Sequence, residues 1–132
     1  MEHKHPTYTI VNDPKEADAV GWGFYTNDPS KPEKIYFKFP PLKDDEIRIQ
    51  VTYAGLCHSE LHTVQEDWGP VKNRPIIPGH ETVGIITHIG KDVKDFKIGD
   101  RVGFGTCRDF CAQCRQCSKG NNHLCTGQVD QA

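Results

Sequence analysis

The feature that most constrains this 132-residue chain is the run Cys111, Cys114, Cys117 and Cys125, a C-x2-C-x2-C-x7-C pattern. Short C-x2-C steps let one tight turn offer two thiolates to a single ion, and Zn²⁺ takes four sulfur ligands in a tetrahedron. The spacing therefore predicts a structural zinc lobe in which three ligands are local and only Cys125 returns across a loop. Four thiolates outweigh the charge of one zinc ion, so cations should gather nearby, and Arg108, Arg115 and Lys119 stand close in sequence. Six cysteines in all also allow a disulfide framework. Against it, Met1 to Pro6 shows no apolar signal segment, and clustered thiols in a cytosolic chain point to metal. His123 is the alternative to Cys125 as fourth ligand.

A hydrophobic content of 36% suffices for one modest core. With a net charge of -2, and 16 basic residues spread along the chain, there is no footprint for nucleic acid or an anionic membrane. No apolar run is long enough to span a bilayer, so a cytoplasmic location is expected. His3 and His5 could bind metal adventitiously, but a frayed polar terminus is the plainer reading.

Residues 1–18 are polar and broken by proline, and are expected to be a flexible N-terminal segment ahead of one domain over 19–132. Strands are predicted over 19–26, 34–39, 46–53, 82–89 and 101–106. The clearest places Ile47, Ile49 and Val51 on one face and Arg48, Gln50 and Thr52 on the other. Ser59 is the expected cap of a short helix reaching about Glu66, with Glu60 in its first turn. Many short strands and little helix imply a mainly β domain of barrel or sandwich type.

Two further residues have the chemistry of metal ligands. Cys57 lies at the helix entrance, where a thiol is more acidic, and His80 follows a Pro-Gly turn. Alone, each reads as readily as a small core residue or a satisfied polar one. Their surroundings carry more. The run from Gly79-His80-Glu81 through Gly84 and Gly90 to Val93, G-H-E-x2-G-x5-G-x2-V, closely resembles the zinc signature of medium-chain alcohol dehydrogenases. Gly55-Leu56-Cys57-His58-Ser59-Glu60-Leu61-His62 and Asp67-Trp68-Gly69-Pro70 resemble the cinnamyl alcohol dehydrogenase branch, and Ile98-Gly99-Asp100-Arg101-Val102-Gly103 precedes the cysteine lobe in the family's order.

The resemblance implies a GroES-like, partly open β-barrel with short helices and the four-cysteine zinc lobe. It implies that Cys57 and His80 ligate a catalytic zinc, with Glu81 either joining them or supporting them from behind. It further implies that Ser59 and His62 form a proton relay, that His58 touches cofactor phosphate and that Trp68 lines a substrate pocket for an alcohol or aldehyde. Where the family has Asp, this chain has Glu60, one methylene longer, which puts the orientation of the metal site in question. Cys107 is extra and reads as a buried thiol.

No G-x-G-x-x-G occurs: Gly21-Trp22-Gly23 and Gly103-Phe104-Gly105 lack the third glycine. The chain is therefore expected to be a truncated catalytic domain without its nucleotide-binding domain, inactive alone. NAD(P) would bind only if that domain were supplied, with NADPH favoured by the resemblance alone. The catalytic zinc should be weak or absent for want of a third ligand, unless Cys107 or His88 completes its site. The alternative is a non-catalytic, zinc-stabilised interaction module, with a protein partner over the exposed domain interface.

Overall fold

The computed structural model of the protein describes residues 8–127 and 129–130, except the side chains of Arg108, Val129 and Asp130. His3 and His5 lie outside the described residues. Among the described residues, three antiparallel sheets carry the fold. The first contains β1 (Thr9–Val11), β2 (Ala19–Gly23) and β3 (Glu33–Lys38) in the order β1-β3-β2. Pairing thus begins at Thr9, before residue 19, because Ile10 lies opposite Phe37 on the free edge of β3. The second sheet contains β4 (Ile47–Ala54), β5 (Thr82–Ile89) and β6 (Arg101–Phe104) in sequence order. Helix α1 (His58–Gln65) lies in the connection from β4 to β5. The third is a ribbon of β7 (Cys107–Asp109) and β8 (Val129–Asp130), which brackets the cysteine lobe.

The mainly β expectation holds, and the described sheets do not join into a closed barrel. β5 lies at the predicted residues because it is central, paired on both sides. β4 is different. Ile47 and Ile49 are half-buried as expected, but Val51 is exposed. Register shifts at Arg48/Ile49 and Val51/Tyr53 break the two-residue alternation, as bulges do on an edge strand.

The best-buried apolar side chains are Ile35, Val64 and Ile86, one each from β3, α1 and β5. Each contributes about 1.5–3 kcal/mol by leaving water. Such a thin core places weight on local fastenings. One is the strap of residues 74–81, whose Ile76 exchanges backbone hydrogen bonds of 2.8 and 3.1 Å with Phe24 at the end of β2. Gly21 makes room for it, since a Cβ there would lie 2.8 Å from Ile77 Cγ2. Among the described residues no helix is long and apolar enough to cross a membrane.

Candidate metal centre and its surroundings

Cys57 follows β4 and the turn Gly55-Leu56, in extended backbone geometry. It is the cap of α1, correcting the expectation that Ser59 would be. The Ser59 amide donates to Cys57 Sγ at 3.4 Å, and the Cys57 amide donates to Glu60 Oε2 at 2.7 Å. This reciprocal arrangement is a capping box, and it starts the helix at His58, one residue before Ser59. Ser59 instead lies inside the first turn, its Oγ 3.0 Å from Cys57 Sγ and within 3.5 Å of both ring nitrogens of His80.

Glu60 is buried, and its second oxygen lies 2.6 Å from His80 Nδ1. One carboxylate therefore fixes the Cys57 backbone and orients the His80 ring. The additional methylene relative to Asp does not place His80 out of reach. With Nδ1 engaged, Nε2 is the nitrogen left for a metal. Glu81 comes to the same place, 3.9 Å from His80 Nε2. Strand alternation would send the neighbours His80 and Glu81 to opposite faces, but both precede the first residue of β5. The Gly55 amide donates to the Glu81 carbonyl at 2.7 Å, and a Cβ on Gly55 would collide with the Glu81 carboxylate.

Cys57, His80 and Glu81 thus offer sulfur, nitrogen and oxygen donors within 4.8 Å of one another. The set fits Zn²⁺: three protein donors leave a fourth position open, and a thiolate with a carboxylate balances the ion's charge. The sequence left Glu81 either as a ligand or as support for one, and offered Cys107 or His88 to complete the site otherwise. Among the described residues Glu81 is the third donor beside Cys57 and His80. His88 is exposed and bonds Thr87 Oγ1 at 3.0 Å, while Cys107 is half-buried rather than buried and donates to the Asp109 carbonyl.

Along α1, His62 lies one turn beyond Ser59. Its Nδ1 meets Asp67 Oδ2 at 2.7 Å, and its ring lies 4.7 Å from His58 and 5.1 Å from Trp68. Trp68 is exposed, and its ring contact is with His62. The resemblance matches Glu60 to an Asp that supports a zinc ligand; the contact of Asp67 with His62 was not read from the sequence, where a carboxylate five residues after a site histidine was the available signal.

Cys111, Cys114, Cys117 and Cys125 also gather within 4.8 Å of one another. Sulfur separations of 3.5, 3.5 and 3.9 Å match the roughly 3.8 Å edge of a tetrahedron with metal–sulfur bonds of about 2.3 Å. All six cysteines are free, and Cys125, rather than His123, is the fourth donor. Backbone amides supply much of the positive field that was expected from cations. Those of Cys111 and Gly127 donate to Cys125 Sγ, that of Cys114 to Cys111 Sγ, and that of Cys117 to Cys114 Sγ, at 3.3–3.5 Å. The Cys117 amide is the main reason the Cys114 thiol is lowered to about 6, and the Cys111 amide lowers Cys125. Desolvation, then the neighbouring thiols, push Cys117 up to about 12. A bound cation would relieve that opposition. Arg115 and Lys119 are exposed side chains.

The family model "Alcohol dehydrogenase GroES-like domain" matches residues 43–131. A probable cinnamyl alcohol dehydrogenase of Oryza sativa is 40% identical over 111 residues, 84% of this chain and 25% of that protein. An NADP-dependent alcohol dehydrogenase of Mycolicibacterium smegmatis is 44% identical over 82 residues, 62% of this chain and 23% of that protein. Among solved structures, a cinnamyl alcohol dehydrogenase of Sorghum bicolor superposes with a TM-score of 0.78 at 35% identity, covering 85% of this chain and 31% of that one. The chain spans about a quarter to a third of the length of these relatives. With the family model matching well over half of its residues, the chain belongs to the zinc-dependent medium-chain alcohol dehydrogenases, as a cinnamyl alcohol dehydrogenase-like GroES-like domain.

Proposed function

We propose that these residues form the catalytic half of a zinc-dependent oxidoreductase that interconverts alcohols and aldehydes with NAD(P)(H). The observation that carries this reading is the convergence of Cys57, His80 and Glu81 beside the hydroxyl of Ser59. Zinc held by these donors would act as a Lewis acid on an alcohol or carbonyl oxygen. The chain's own groups do the rest. Glu60 holds the His80 ring with Nε2 facing the site. Ser59 is the hydroxyl that takes or returns the alcohol proton, and His62, one turn along α1, passes it to solvent; Asp67 fixes the His62 ring for that task. His58 is the basic group for a cofactor phosphate, and Trp68 offers an aromatic wall to the substrate.

The nicotinamide cofactor is bound outside residues 1–132, which contain no G-x-G-x-x-G. Tyr53 and Val83, exposed partners across β4 and β5, belong to the apolar surface that meets the cofactor-binding part of the protein. A relative from Helicobacter pylori, 32% identical, was solved with NADP(H), which supports NADP(H) here. The Cys111–Cys125 lobe holds a second, structural zinc, and the reaction is expected in the cytoplasm.

The test replaces the matching domain of the sorghum enzyme with residues 43–131. Aldehyde reduction that depends on zinc and disappears in Cys57→Ser supports the reading. A folded, zinc-loaded chimera without turnover contradicts it.

A further inference from the structure

The strap that delivers His80 is fastened to α1 near both of its ends. Near one end, His80 Nδ1 meets Glu60 in the first turn of the helix, at 2.6 Å. At the other, Arg74 reaches the last turn. Its NH2 group donates to the Val64 carbonyl at 2.9 Å and to Glu66 Oε1 at 3.1 Å, while NH1 donates to the Thr26 carbonyl at 2.6 Å. The Val64 carbonyl is among the last of α1, which the helix itself cannot satisfy. Glu66, the left-handed cap of α1, also accepts the Val71 amide at 3.1 Å. That amide first, and Arg74 next, hold the Glu66 carboxyl below its ordinary range. One partly buried guanidinium therefore gathers the end of α1, the turn after β2 and the start of the strap.

We propose that Arg74 is a positioning residue for the metal centre, setting how far along α1 the strap lies and hence where His80 and Glu81 meet Cys57. Arg74 touches none of the three donors, so its influence passes through two rigid connections. Between Cys57 and Glu66 the chain is a continuous helix. Between Arg74 and His80 the strap is pinned at Ile76 to Phe24. A guanidinium forks between two acceptors and a third at a fixed angle, which an ammonium cannot reproduce. The inference rests on the reading of Cys57, His80 and Glu81 as metal ligands.

Cobalt titration of the zinc-free 132-residue protein tests it. Thiolate-to-cobalt absorption that disappears in Cys57→Ser reports this centre, and absorption that survives in Cys57→Ser reports the four-thiolate lobe. In Arg74→Ala the Cys57-dependent band should need roughly tenfold more cobalt, with the lobe band unchanged. Arg74→Lys should recover only part of the loss. If Arg74→Ala does not fold, Glu66→Gln, which keeps the carbonyl contacts of Arg74, decides instead, with an expected loss of roughly threefold. Wild-type affinity in folded Arg74 variants, or in Glu66→Gln where those do not fold, overturns the proposal alone. A wild-type protein with no Cys57-dependent band overturns the ligand reading itself, and the proposal with it.

Discussion

The two groups of metal donors are built in opposite ways. The four-cysteine lobe draws every donor from a stretch of 15 residues, Cys111 to Cys125, and cradles the sulfurs with amides of that stretch and of Gly127 just beyond it. The Cys57 centre draws its donors from a helix cap, a strap and the approach to a strand, and depends on Glu60 to join them. The first is local chemistry that organises its own backbone. The second is a product of the surrounding fold, so damage at a distance should reach it and leave the lobe untouched.

The largest expected effect breaks that contrast from the lobe side. Cys114→Ser removes one of four thiolates, and a structural zinc supplies on the order of 10 kcal/mol to the order of a small lobe. Amides of residues 111–125 should then lose hydrogen-exchange protection, while those of β5 keep theirs. Loss of protection in β5 as well would show that the lobe is not a separate unit.

Next in size, Glu60→Ala removes the carboxylate shared by Cys57 and His80. Affinity of the Cys57 centre for zinc should fall about 10- to 100-fold, measured by competition with a chromophoric chelator. The lobe should not respond. Gly55→Ala is a sharper probe, since the three atoms nearest the new methyl group all belong to the Glu81 side chain. Displacing one oxygen donor should weaken zinc by about tenfold. Cobalt spectra should report a changed geometry at the Cys57 centre, and Glu81→Gln should cancel most of the difference between alanine and glycine at residue 55.

The smallest effect concerns acid stability. The Glu66 carboxyl is lowered by the Val71 amide and Arg74, so its contribution is complete above the ordinary carboxylate range. It is lost as pH falls through the lowered value, because the unfolded chain then takes up the proton more readily. Glu66→Gln should therefore lower the melting temperature slightly at neutral pH and flatten its decline in acid. A parallel decline in both proteins would remove Glu66 from the account.

How much of this was legible in the sequence follows the same division. The lobe could be read from spacing because its ligand set is a property of 15 consecutive residues. Cys57 and His80 stood out by chemical type, yet a lone thiol and a lone imidazole are ambiguous until the fold brings them together. The family resemblance supplied that juxtaposition; periodicity did not. A run of β-forming residues located β5, whereas alternation, which located β4, failed at Val51 because a bulge on an edge strand reverses the faces. The cap at Cys57 was missed for a physical reason as well. A thiol is a weak acceptor, so Ser59 looked the better cap, but the buried Glu60 carboxylate selects the amide of Cys57. Arg74 gave no signal, since its three acceptors are a helix end, a turn and a side chain distant in sequence.

The most direct test is zinc content during graded chelation of the 132-residue protein, followed in wild type and in Cys57→Ser. The account predicts two zinc ions per chain, one leaving at low chelator and missing from Cys57→Ser, the other leaving only with the order of residues 111–125. A single zinc in both proteins, or two that leave together, would contradict it.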